Sequence, residues 1–158
     1  KKFSNFDNEL EKFTNQIIKK FRGMDLKIGV IAIDPSSPFT GGAVLGDRVR
    51  MQEHSLDNSV FIRSVGSRGD LGGLSSSTSS MIKLFDIFGM DIVIIETVGV
   101  GQTELDIIKI SDCVLVTLVP EAGDGIQAMK AGLMEIGAFF KLLISKAKSA
   151  IIYSIIIN

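Results

Sequence analysis

The sequence predicts an α/β domain of three layers: a mostly parallel sheet flanked by helices. Three observations predict it. Apolar, partly β-branched runs too continuous for a one-sided strand recur along the chain, helical periodicity separates them, and the segments after them combine acids with glycines. With 158 residues and 46% hydrophobic content, one packed core is feasible, since a chain of about 150 residues buries roughly 70% of its unfolded surface. No internal repeat or linker divides the sequence, so residues 1–158 are read as a single domain.

The first element is a helix. Phe6, Leu10, Phe13, Ile17 and Phe21 recur at steps of three and four, placing them on one stripe, and Glu9, Glu11, Lys12 and Lys19 fall on the other side. Gly23 is the expected stop. LKIGVIAI (Leu26 to Ile33) then reads as a strand covered on both faces. VFIRSV (Val60 to Val65), MDIVII (Met90 to Ile95) and CVLVTLV (Cys113 to Val119) follow as further strands. Between and after them, helices are expected over Ser75 to Phe88, Glu104 to Ile110 and Ile126 to Ile136. In the first of these, serines and a threonine are available as caps, and Met81, Leu84, Phe85 and Phe88 form the apolar face. Strand alternating with helix implies crossover connections and hence parallel pairing. The terminal AIIYSIIIN is either a closing strand or an unpaired aggregation hazard.

Composition also limits function. Lys and Arg number 17 against 18 Asp and Glu, which argues against nonspecific nucleic-acid binding driven by phosphate neutralisation. No apolar run approaches the roughly 20 residues that span a bilayer, and KKFSNFDNELEKF mixes charges where a signal peptide is apolar. The lone Cys113 excludes an internal disulfide framework. The expected setting is the cytoplasm or an organellar matrix such as that of mitochondria, without nucleic-acid or membrane partners.

In open parallel sheets, ligands bind beyond the carboxyl ends of the strands. The segments there are DPSSPFTGGAVLGDRVRM, ETVGVGQTE and PEAGDGIQAMKAG. Acid at a strand end plus glycine-permitted backbone approach suits a phosphate and Mg²⁺ site: carboxylates hold the hard cation, and backbone N–H groups meet phosphate oxygens. Asp34, Asp47 and Glu96 are the candidates. Any one of them could instead cap a helix or turn, and the glycine pairs could simply make turns. The recurrence on one sheet edge is what favours a site. Arg63 and Arg68 offer guanidinium forks for phosphate or for transition-state charge, or else surface ion pairs. His54, the sole histidine, has no ligand-spaced companions, which makes it a surface or structural residue and rejects a zinc site. No G-x-S-x-G elbow is present for serine catalysis.

At AIDPSSPFTGGAVLGDRVRM, FIRSVGSRGDLGGLS, DIVIIETVGVGQTELDI and LVPEAGDGIQAMKAGLMEI, the chain resembles the methylmalonyl-CoA mutase-associated GTPase family, many of whose members are labelled lysine/arginine/ornithine transport ATPases. The likeness runs from about Lys27 to Ile136 with the motifs in order. It implies a P-loop NTPase-like fold of the metallochaperone-type branch, GTP or GDP with Mg²⁺ as ligands, and an adenosylcobalamin-dependent mutase as partner. A homodimer is left open. By the same resemblance, Asp34 serves Mg²⁺ and water positioning, and Asp47 lies in a switch reaching Mg²⁺. Glu96 and Gly99 fall on an E-x-x-G, the acid towards the metal and the glycine N–H towards the γ-phosphate, and Gln102 closes that motif. Lys130 falls on a helix used in subunit and nucleotide communication.

Two places depart from the family pattern. The sequence contains no G-x-x-x-x-G-K-[ST], and KKFSNF resembles the start of the helix that follows such a loop, so the first strand and P-loop are expected to lie outside it. The domain is on this reading incomplete. Near the carboxyl end, LLISKAKS stands where the family has N-K-x-D: Lys146 keeps the lysine, whereas Ser145 and Lys148 replace the asparagine and aspartate. A lysine only donates and cannot accept the guanine protons, so guanine and adenine both remain open. The isoleucine-rich tail has no family counterpart. The leading expectation is a GTP-hydrolysing chaperone core for a cobalamin mutase. The alternatives are a truncated, non-catalytic interaction module and, from the transport label alone, an ATPase of amino-acid uptake.

Overall fold

The computed structural model describes residues 4–34, 52–66, 76–98, 106–107, 109–117, 138–140 and 151–157. In chain order these give α1 (Ser4–Arg22), β1 (Ile28–Asp34), a 3-10 turn at Gln52–His54, β2 (Val60–Gly66), α2 (Ser76–Ile87), β3 (Ile92–Val98), β4 (Cys113–Thr117), β5 (Ala138–Phe140) and β6 (Ile151–Ile157). The strands join in one sheet, in the order β2-β1-β3-β6-β4-β5. β1 pairs in parallel with β2 and with β3, and β4 does so with β5. β6 lies antiparallel between β3 and β4, so β1 to β5 share one direction and β6 opposes them.

Each sheet face carries its own core. On one, Ile18 of α1 packs with Ile28, Val30, Ile92, Ile94 and Leu115, joined by Phe13, Ile17 and Phe21. On the other, Phe85 of α2 packs with Ile31, Ile33, Val93, Ile95 and Ile107, joined by Met81, Ile82 and Met90. Because side chains alternate along a strand, the same strands feed both cores. Residues 28–33 of β1 and 92–97 of β3 are all buried, as their continuous apolar sequences require. Gly29 sits under Phe85 so closely that a Cβ there would lie 2.4 Å from Phe85 Cδ2. Phe85 in turn meets Phe61 edge to face, with centroids 5.6 Å apart.

Both helices end in the same Schellman arrangement. After α2, Met90 N–H donates to the Phe85 carbonyl and Gly89 N–H to that of Asp86, with Gly89 at φ 67°. After α1, Leu26 N–H donates to the Phe21 carbonyl and Asp25 N–H to that of Arg22, with Asp25 at φ 63°. Gly23, the expected stop, therefore does not take the left-handed position. Asp25 does, and Arg22 Nη1 donates to the Leu26 carbonyl beside it.

The expected strands at the first four runs and the closing strand are present; β5 lies where no strand was expected. On α2 the apolar face differs from expectation. Thr78, Met81, Ile82 and Phe85 turn inward, whereas Leu84 and Phe88 are exposed. Of the expected helix at 104–110, Asp106 and Ile107 are helical, and the one expected at 126–136 lies outside the described residues. Among the described residues, no helix is long and apolar enough to cross a membrane.

Candidate functional site

The carboxyl ends of β1, β2 and β3 lie side by side at one sheet edge. Register decides which side chains can cooperate there. Ala32 pairs with Glu96, and Ile33 with Thr97. Asp34, two residues beyond Ala32, therefore belongs to the same face as Glu96, the face covered by α1. With strands about 4.8 Å apart and a rise of about 3.3 Å per residue, the two Cα atoms are about 8 Å apart. That separation suits two carboxylates serving one cation.

The two acids arrive by the same route. Each follows an isoleucine-rich run whose side chains fill both cores, which anchors the strand and fixes the backbone where the acid stands. Glu96 is 1% exposed and its neighbours Ile95 and Thr97 are fully buried. Water is thereby kept from most of the carboxylate, which strengthens any interaction it makes with a cation. Glu96 takes part in polar interactions within the protein as well.

Arg63 is not brought to this pair. It pairs in register with Ile31, on the α2 face, and is exposed, so the sheet separates it from Asp34 and Glu96. Asp47, Arg68, Gly99, Gln102, Lys130 and Lys146 lie outside the described residues. Among the described residues, no three His, Cys, Asp or Glu side chains converge. The hard oxygen donors that are present fit Mg²⁺ in the way Mg²⁺ is commonly held, by one or two carboxylates with phosphate and water oxygens completing the shell.

A second polar cluster occupies the opposite edge of the sheet. Arg22 Nε donates to Asp57 Oδ2 at 2.9 Å, Lys19 pairs with Glu53, and Ser59 N–H donates to Asp57 Oδ1 at 2.9 Å. Ile28 N–H donates to the Ser59 carbonyl, tying the cluster to the start of β1. The hydrogen bond from Arg22 holds the Asp57 carboxyl below its ordinary range, and Lys19 does the same for Glu53. Between them sits His54, only 7% exposed, which settles the choice between surface and structural in favour of the latter. The Arg22–Asp57 clamp was not foreseen, because its partners are 35 residues apart and nothing local marks them.

Comparison with known proteins identifies the family of the chain. Residues 10–151 match the family described as methylmalonyl Co-A mutase-associated GTPase MeaB. A Pyrococcus horikoshii protein provisionally named a GTPase is 56% identical over 126 residues, covering 80% of this chain and 40% of that protein. GTPase ArgK of Escherichia coli is 46% identical over 111 residues, covering 70% of this chain and 34% of its own length. The mitochondrial methylmalonic aciduria type A homolog of Caenorhabditis elegans is 45% identical over 109 residues, 69% of this chain and 27% of that protein. The matched part thus spans two fifths or less of these relatives. Matched to the family over residues 10–151, this chain belongs to the methylmalonyl-CoA mutase-associated GTPase MeaB family.

Proposed function

We propose that this chain is the central part of a GTPase that binds guanine nucleotide with Mg²⁺ and assists an adenosylcobalamin-dependent mutase of the methylmalonyl-CoA type. The observation that carries the reading is the placement of Asp34 and Glu96 on one face at the carboxyl edge of a parallel sheet, within the family match. The name of GTPase ArgK supports the guanine nucleotide, and the family's description supports the mutase. The setting is the cytoplasm or the mitochondrial matrix, and the mitochondrial relative of Caenorhabditis elegans supports the second.

Bound at this edge, Mg²⁺ would neutralise charge on the transferring phosphoryl group. Asp34 and Glu96 would hold the ion, and Asp34 would orient the attacking water. By the family resemblance, Asp47 would serve the metal side in the triphosphate state, Gly99 would offer its N–H to the γ-phosphate with Gln102 closing that motif, and Lys130 and Lys146 would serve the nucleotide side. The charge-stabilising arginine is Arg68 rather than Arg63, because Arg63 belongs to the other sheet face.

Titrating the purified chain with fluorescent GDP and GTP analogues, with and without Mg²⁺, tests the reading. Micromolar, Mg²⁺-dependent binding would mean that the segments after the strands form a working site without a G-x-x-x-x-G-K-[ST] loop. A folded chain that binds neither analogue but captures the mutase regardless of nucleotide would instead make it a non-catalytic interaction module. The transport-ATPase reading has no support beyond a family label.

A further inference from the structure

The cluster at the opposite edge of the sheet suggests a device independent of nucleotide chemistry. Residues 52–59 lead into β2, and two ion pairs fasten them to α1: Lys19 with Glu53, and Arg22 with Asp57. Between these pairs lies His54, the only histidine in the chain, 7% exposed. Its Nε2 is buried and has no hydrogen-bond partner among the described residues. Its carbonyl accepts from Asp57 N–H at 3.0 Å, which closes the turn that carries Asp57 back to Arg22.

A neutral imidazole tolerates that position, because one ring nitrogen carries no proton and leaves no buried donor unpaired there. An imidazolium does not. Both its nitrogens become donors, and the charge loses its hydration. The charged groups facing the ring are divided: Lys19 of α1 opposes protonation, while Glu53 and Asp57 favour it, and Arg22 of α1 is engaged by Asp57. Burial is the largest influence and holds the imidazole below its ordinary value of 6.5. The cheapest response to a proton is therefore for the segment to leave α1. What resists is two partly or largely exposed ion pairs, and such pairs hold weakly because water screens them.

We propose that Gln52–Ser59 is a pH-sensitive latch, docked on α1 while His54 is neutral and released when His54 is protonated. The sign follows from linkage. A buried neutral histidine binds fewer protons than an open one, so docking is complete above pH 6.5 and weakens as pH falls below it. Glu53 and Asp57, both held below the ordinary carboxylate range, stay ionised through this window. The latch lies at the far end of β1 from Asp34, about 20 Å away for seven residues. It neither requires nor tests the nucleotide reading.

A single histidine makes the test direct. In the whole chain, the imidazole is titrated by NMR while amide hydrogen exchange is followed at Asp57, Ser59 and Val60, corrected for intrinsic rates. Between about pH 7.5 and about pH 5.5, protection of these amides should fall relative to β1 and β3, by at most about tenfold for one histidine. His54→Gln should abolish the dependence, because the amide does not titrate. An imidazole that titrates at or above its ordinary value with protection unchanged would overturn the latch, as would the same pH dependence in His54→Gln. Should that variant not fold, the wild-type titration and exchange decide the matter alone.

Discussion

The two faces of the sheet are built by the same strands and end differently. On the α1 face, alternate residues of β1 and β3 run from Ile28 and Ile92 to Asp34 and Glu96. On the α2 face they run through Ile31 and Val93 to Ile33 and Thr97, under Phe85. By strand position, one face thus ends on the buried Glu96 and the place of Asp34, and the other on apolar packing and a threonine. Parity alone separates them, because neighbouring residues on a strand face opposite ways. On the proposed function, chemistry falls on the α1 face beyond the end of its core while the α2 face serves packing alone, so substitutions on each should have distinct signatures.

The largest expected effect is on the packing face. Phe85→Ala removes a ring 2% exposed that contacts β1 and Phe61. It should cost about 3–5 kcal/mol in urea unfolding. Any nucleotide affinity that survives in the folded fraction should keep its Mg²⁺ dependence. Gly29→Ala attacks the same contact from the strand side, with its Cβ 2.4 Å from Phe85 Cδ2, and should cost about 1–3 kcal/mol. Combining it with Phe85→Leu should be less damaging than the sum, a double-mutant cycle that shows the clash is with that ring. Strict additivity would place the strain elsewhere.

On the chemical face, Glu96→Gln keeps size and polarity but removes the charge. Mg²⁺-dependent nucleotide affinity should fall about tenfold or more, or about 1.4 kcal/mol, with a much smaller shift in the urea midpoint. The smallest effect is expected from Arg63→Ala. This exposed side chain on the α2 face should leave Mg²⁺ dependence intact and move stability by no more than about 0.5 kcal/mol. A large loss of nucleotide affinity in Arg63→Ala, read from the same titration, would break the division between faces.

Much of this arrangement is legible in the residues. LKIGVIAI and MDIVII are continuous apolar runs because both faces are covered, and they form the buried β1 and β3. The acids following them mark the sheet edge for the same reason. The partnership of Asp34 and Glu96 on one face, however, depends on the one-to-one register of β1 with β3, which no local pattern contains. Periodicity also misassigned part of α2. Leu84 and Phe88 are large and apolar, but the inward stripe passes through Thr78, Met81, Ile82 and Phe85, with a buried threonine that a hydrophobicity pattern passes over. The antiparallel position of β6 between β3 and β4 is a long-range pairing outcome, and the isoleucines of the tail predict a strand without predicting its neighbours.

The adjacent residues Glu96 and Thr97 allow the central claim to be tested within one strand. Mg²⁺-dependent binding of a fluorescent GTP analogue is measured for the wild-type chain, Glu96→Gln and Thr97→Val. The account predicts Mg²⁺-dependent binding in the wild type, its loss in Glu96→Gln and its retention in Thr97→Val, whose side chain belongs to the packing face. Equal Mg²⁺ dependence in wild type and Glu96→Gln, or a folded wild-type chain indifferent to Mg²⁺, would contradict it.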